Sequence, residues 1–262
     1  MSTLSDQQLD FFETFGFLKF PGLLQDSIGL IIEEFEAVFK HLNESGPLDE
    51  GLRTRMIAPF IDQRVRLSAL LEEPQIQPIL TSLLGEDYNY MGSDGNYYTG
   101  NTPWHPDGSS NDYRHIKIAF YLDTLGAANG ALRVIPGSHL HQGPFAQKLL
   151  GRIQQSAELW GMNGDALPSV SLDVVPGDIL VFDHNLFHSS WGGSQSRRMF
   201  TINACQRYQE NDIHKFRDYL VLHHSYQNAS EQYYGPNMLK TADSQRKKHL
   251  EQVLANVDVL TV

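Results

Sequence analysis

A single cysteine, Cys205, stands in 262 residues. One thiol excludes an intramolecular disulfide and a cysteine-built zinc cluster, and nothing marks an oxidising compartment, so a cytoplasmic protein is expected. Basic residues are also few: 20 Lys and Arg against 31 Asp and Glu leave a formal charge of −11. Nucleic acid and anionic membranes attract basic surfaces, so neither is an expected partner. No apolar run is long enough to cross a bilayer, and residues 1–8 lack the basic segment and apolar stretch of a secretion signal. Internal repeats and low-complexity stretches are missing too. What remains is 41% hydrophobic and 19% charged. That composition predicts one large globular domain over 1–262, and a monomer or homodimer is expected.

Ser5-Asp6-Gln7-Gln8 has the form of a capping box ahead of Leu9, Phe11, Phe12 and Phe15. The pattern predicts a short helix ending near Gly16, a strand at residues 17–20, and a longer amphipathic helix from Asp26 or Ser27 to about Leu42. Residues 43–63, broken by Gly46, Pro47, Gly51 and Pro59, read as loop or lid, and a second helix is expected over 74–84. From Tyr88 the texture changes to aromatic and β-branched runs between Gly, Pro, Asn and Asp. Antiparallel strands are predicted near 88–91, 96–98, 115–122, 131–135, 171–174, 179–182 and 199–206. Many short strands with few helices between them favour a mainly β jelly roll with flanking helices over a βαβ fold. Residues 142–159 read as a helical insertion and 245–254 as a surface helix. The expected layout is a helical part over 1–87, a jelly-roll core over about 88–207, and a C-terminal lid and helix over 208–262.

Chemistry first shows at Trp104-His105-Pro106-Asp107-Gly108. An imidazole and a carboxylate two positions apart on extended backbone point to one side and could share a metal. Such a pair on its own is usually a surface or strand-edge feature. His188, about eighty residues further on, offers a third ligand at the end of the apolar run Ile179-Leu180-Val181-Phe182, which follows the Pro176-Gly177-Asp178 turn. Two imidazoles and one carboxylate suit non-haem Fe(II) and leave coordination positions open, unlike a closed structural zinc site. Beyond His188 comes Arg197-Arg198-Met199-Phe200-Thr201-Ile202-Asn203, a strand whose arginine could hold a carboxylate by a bidentate pair.

His105-x-Asp107, the run from Asn129-Gly130-Ala131-Leu132-Arg133 to Val134-Ile135-Pro136-Gly137-Ser138-His139, Pro176-Gly177-Asp178, and His188-x-Ser190 leading to Arg197 together resemble the phytanoyl-CoA dioxygenase family. The segment from Leu4-Ser5-Asp6 to Gly16-Phe17-Leu18 is similar to that family's opening, and the likeness spans roughly 4–207. The resemblance implies an oxygenase dependent on Fe(II), 2-oxoglutarate and O2, built on a double-stranded β-helix of cupin type. It implies that His105, Asp107 and His188 bind iron, that Arg197 and Ser190 hold the distal carboxylate of 2-oxoglutarate, and that Asn96 contacts the co-substrate. The implied outcome is hydroxylation of an unactivated C–H bond with release of succinate and CO2. Related halogenases lack the ligand carboxylate, so Asp107 argues against halogenation, while desaturation and cyclisation stay open. The chain departs from the family in a shorter loop between His188 and the arginine pair, without the asparagine common there. Strand alternation turns only one of Arg197 and Arg198 inward, and Arg197 matches the family strand better.

His184 competes with His188 but lacks the His-x-Ser setting. His139 belongs to a Pro-Gly-Ser-His turn and reads as a hydrogen-bonding residue; His41, His115, His141, His214, His223, His224 and His249 have no context beyond surface or packing roles. Tyr97, Tyr98, Trp104 and Trp191 are candidates for a substrate pocket, although each is as readily a core residue. No basic cluster suggests coenzyme A, which favours a small metabolite or natural-product intermediate. Two other readings compete: a cupin-type metalloenzyme that uses no 2-oxoglutarate, and a noncatalytic jelly-roll binding protein.

Overall fold

The computed structural model describes residues 3–43, 55–108, 112–193, 197–224 and 232–261. Ser5 caps α1 (Asp6–Phe15): its Oγ accepts from Gln8 N at 3.2 Å, and Gln8 Oε1 accepts from Ser5 N at 2.9 Å. Strand β1 (Phe17–Phe20) and helix α2 (Ile28–Asn43) follow. Part of the loop expected over 43–63 lies outside the described residues; the remainder holds a short strand, β2 (Arg55–Ile57), and a 3-10 turn. Next come α3 (Val65–Ser68) and α4 (Gln77–Leu84). The latter starts later than expected because Pro78, not Pro74, occupies its first turn.

The strands are β3 (Asn89–Gly92), β4 (Gly95–Tyr98), β5 (Thr102–His105), β6 (His115–Tyr121), β7 (Leu132–Val134), β8 (Val170–Leu172), β9 (Ile179–Asp183), β10 (His188–Ser190) and β11 (Arg197–Cys205). They form two antiparallel sheets. The larger runs β1-β9-β6-β11-β4-β2, with β3 also pairing β11, and the smaller runs β5-β10-β7-β8. Alternation on β6 explains the layering. Ile116, Ile118 and Phe120 face the helices and join the main core with Phe35, Phe60 and Phe200, whereas Ala119 and Tyr121 face the smaller sheet with Leu132, Val134, Leu180 and Phe182. Phe120 stacks on Phe200 at 4.3 Å between centroids. The architecture is the expected jelly roll with flanking helices.

The insertion is not one helix: Gly151 interrupts it, leaving α5 (Pro144–Leu149) and α6 (Ser156–Trp160). After the barrel come α7 (Ile213–His224), α8 (Pro236–Lys240) and α9 (Ser244–Leu254). Helix α9 is not the surface helix expected. Arg246, His249, Leu250 and Val253 are buried, and His249 stacks on Tyr88 at 3.7 Å. Among the described residues, no helix is long and apolar enough to cross a membrane.

Candidate active site

Register brings the two histidines together. Strand β10 pairs with β5 so that His188 lies opposite His105, with ring centroids 4.4 Å apart. Asp107 joins them by a different route from the one alternation suggested, because β5 ends at His105. Its backbone N–H, with that of Gly108, donates to the carbonyl of His184 at 2.7 and 2.8 Å, which folds the chain back over the histidine pair. His184 thus serves through its carbonyl, and the three ligand atoms of His105, Asp107 and His188 lie within 4.8 Å of one another. His105 Nε2 is 3.8 Å from Asp107 Oδ1, and His188 Nε2 is 3.6 Å from Asp107 Oδ2.

The donors suit a metal. His105 Nδ1 lies 2.8 Å from Pro103 O and His188 Nδ1 2.9 Å from Leu186 O. A ring nitrogen facing a carbonyl is the N–H donor, so in each neutral ring Nε2 carries the lone pair aimed at the carboxylate. Burial pushes the His188 imidazole down to about 4, against the upward pull of Asp107, so the ring is neutral at pH 7. Burial would raise the Asp107 carboxyl, but Lys117, His188, His184 and His105 together outweigh it and hold the group far below the usual carboxylate range. Its Oδ2 is buried without an aligned hydrogen bond, although Lys117 Nζ approaches within 2.7 Å as an ion pair. A carboxylate whose two oxygens each face one of two preset Nε2 atoms, at 3.8 and 3.6 Å, is a donor set that fits a cation.

A cavity of about 110 Å³ runs from this cluster into the barrel. At its far end Arg197, on the inward face of β11, donates through Nη1 to Gly130 O at 2.6 Å and to Ser190 Oγ, and through Nη2 to Gly100 O at 2.8 Å. Ser190 Oγ also donates to Gly130 O at 2.8 Å. Among the described residues, three of the five guanidinium N–H groups are so engaged. The guanidinium carbon sits 5.0 Å from the centre of the Tyr98 ring. Glycines make the room: a Cβ on Gly130 would fall 2.2 Å from Arg197 Nη1, and one on Gly193 2.7 Å from its Cζ. Arg198 faces the other way and pairs with Asp123 and Glu36. Asn96, buried in the cavity wall, donates to Asp94 Oδ2 at 2.6 Å.

Of the aromatic candidates, Tyr98 lines this cavity. Tyr97 faces α2 and packs on Phe35 and Phe39; Trp104 is buried and donates to Gly164 O at 2.7 Å; Trp191 Nε1 donates to Ser189 Oγ at 2.9 Å. His139 is a hydrogen-bonding residue, its Nε2 lying 3.1 Å from Glu13 O on α1. Lys117 was not singled out from the sequence. A lysine among the apolar residues of His115-Ile116-Lys117-Ile118-Ala119 was the available signal, but only the second sheet shows which face of that strand is the barrel interior. A second cavity, about 250 Å³, opens on the other side of Asp107, walled by His115, His184, Tyr208 and, from α7, Lys215 and Tyr219.

The family model described as phytanoyl-CoA dioxygenase (PhyH) matches residues 12–199, well over half of the chain. No curated protein matches significantly. Among solved structures, EctD from S. alaskensis in its apoform superposes with a TM-score of 0.58 at 22% identity, covering 78% of this chain and 77% of that one. SnoK, a non-heme alpha ketoglutarate dependent carbocyclase from nogalamycin biosynthesis, gives 0.60 at 18%, covering 82% and 90%. HygX from Streptomyces hygroscopicus, solved with nickel and 2-oxoglutarate bound, gives 0.56 at 18%, covering 79% and 89%. At these identities the neighbours speak for the fold, and the family match speaks for the lineage: the chain belongs to the phytanoyl-CoA dioxygenase (PhyH) family of non-haem iron, 2-oxoglutarate-dependent oxygenases.

Proposed function

We propose that His105, Asp107 and His188 hold Fe(II), that Arg197 and Ser190 anchor the distal carboxylate of 2-oxoglutarate with Asn96 beside it, and that the enzyme hydroxylates a small molecule. The observation that carries this reading is the convergence of the three ligand atoms within 4.8 Å at one end of a cavity whose other end is the Arg197 guanidinium. Iron and 2-oxoglutarate, when bound, supply the dioxygen activation and the decarboxylation to succinate and CO2. The chain's residues supply placement. The Pro103 and Leu186 carbonyls fix the two imidazole tautomers, and the His184 carbonyl fixes the Asp107 backbone. Arg197, held by Gly130, Ser190 and Gly100, sets how deep a dicarboxylate enters.

The substrate enters from the second cavity, where Asp107 is the shared wall and His115, His184, Tyr208 and Tyr219 form a polar lining. That lining suits a small polar metabolite or natural-product intermediate, and the formal charge of −11 speaks against nucleic acid. The test is succinate formation from 2-oxoglutarate that requires iron and oxygen and is lost in His188→Ala. Turnover that survives His188→Ala, or that proceeds without 2-oxoglutarate, would remove the proposal.

A further inference from the structure

Lys117 faces inward from the middle of the larger sheet and lines the same cavity as Arg197, at the opposite end. Its ammonium lies 2.7 Å from Asp107 Oδ2, which is itself 3.6 Å from His188 Nε2. Any group bound at the His105, Asp107 and His188 cluster therefore comes within reach of the ammonium. A divalent ion on the cluster draws on the Asp107 charge that Lys117 faces, and a carboxylate bound beside that ion meets the same ammonium. The cavity thus carries one cation at each end, the charge pattern complementary to a dicarboxylate.

Resting on the proposed co-substrate, we infer that Lys117 binds the keto-end carboxylate of 2-oxoglutarate, the end nearer the metal, as Arg197 binds the far one. Lys117 is a positioning residue in this role. It neutralises the carboxylate, sets its orientation beside the ligand cluster, and exchanges its Asp107 contact for one to the co-substrate when metal and co-substrate enter together.

The two cations are separable by ligand. 2-Oxobutyrate keeps the keto-acid end of 2-oxoglutarate and lacks the far carboxylate, so Lys117 contacts both ligands and Arg197 only one. The experiment measures calorimetric dissociation constants of both compounds with the nickel-loaded enzyme, alongside the nickel affinity itself. Lys117→Met is expected to weaken both compounds by about ten- to a hundred-fold, the loss of one charge-assisted hydrogen bond, with nickel affinity kept. Lys117→Arg recovers part of the loss. Arg197→Met is expected to weaken 2-oxoglutarate alone and to erase its advantage over 2-oxobutyrate. Unchanged binding of both compounds in Lys117→Met overturns the inference, as does a loss that merely follows weaker nickel binding, which would leave Lys117 a partner of Asp107 only. If the wild-type nickel enzyme binds no 2-oxoglutarate, the underlying co-substrate reading fails first.

Discussion

Replacing Gly130 by alanine adds one methyl group where the proposed co-substrate anchor is tightest. Gly130 has φ +98°, and a Cβ there would lie 2.2 Å from Arg197 Nη1 and 2.8 Å from its Cδ and Cζ, with no room for the guanidinium to stay. Two costs follow, and they fall on different observables. A non-glycine residue held at left-handed φ costs about 1–2 kcal/mol of stability, which in a chain of this size lowers Tm by about 2–8 °C. Displacing the guanidinium breaks its bonds to Gly130 O and Ser190 Oγ and removes a charge-assisted pair to the bound dicarboxylate. That loss is about 1.5–3 kcal/mol, or roughly 10- to 150-fold in 2-oxoglutarate affinity. The assay is the KM for 2-oxoglutarate from succinate formation, with a thermal melt of the same preparation. Gly126→Ala is the control: its Cβ would meet Asp173 Oδ2 at an ordinary 3.6 Å and should move neither quantity much. A Gly130→Ala enzyme with lowered Tm and unchanged KM would refute the assignment of Arg197 as the anchor.

Arg198→Ala removes the outward pairs to Asp123 and Glu36, each worth up to about 1 kcal/mol, and should cost at most about 2 kcal/mol in a melt, leaving the KM for 2-oxoglutarate as it was; a large KM effect would make Arg198 the anchor instead of Arg197. Nickel at about one hundred times its Kd should stabilise the folded chain by about 2.7 kcal/mol, a rise in Tm that His188→Ala abolishes; a rise that persists would place the metal elsewhere. Burial pushes the Asp183 carboxyl up to about 6, against the Asn185 N–H that lowers it. The folded state therefore holds a proton that the unfolded chain has released between pH 4 and 6, and this group's contribution to stability falls as pH rises through that window. Asp183→Asn keeps an acceptor for Asn185 N and should gain on the wild type by up to about 3 kcal/mol between pH 4 and 7; a stability difference flat with pH contradicts it.

The elements with local signals were legible. The capping box at Ser5 and Gln8 forms as written, because both of its hydrogen bonds lie within one turn. The apolar run at 179–182 is a strand since both its faces are covered: Ile179 and Val181 join the main core on the helix side, and Leu180 and Phe182 pack toward the smaller sheet. Strand β2 lies in a stretch that reads as loop: among the described residues it pairs with β4 alone, some forty residues away, and three residues carry too short a period to read. Helix α9 reads as a surface helix for a related reason. Its buried face includes Arg246 and His249, polar residues whose partners Glu72 and Tyr88 come from distant parts of the chain.

The sequence by itself determined which side chains are available and which can travel together: His105 with Asp107, His188 with Ser190, and Arg197 on the face of its strand opposite to Arg198. It also determined the jelly roll, since strand and turn signals are local and period two is hard to mistake. Only the tertiary structure decided the distances. The register of β10 on β5 sets His188 against His105, the His184 carbonyl turns Asp107 toward them, and the bare backbone of Gly130 admits the guanidinium. It alone decided that Lys117 points into the cavity and not toward the helices, because which face of a strand is inside is a property of the sheet packed against it.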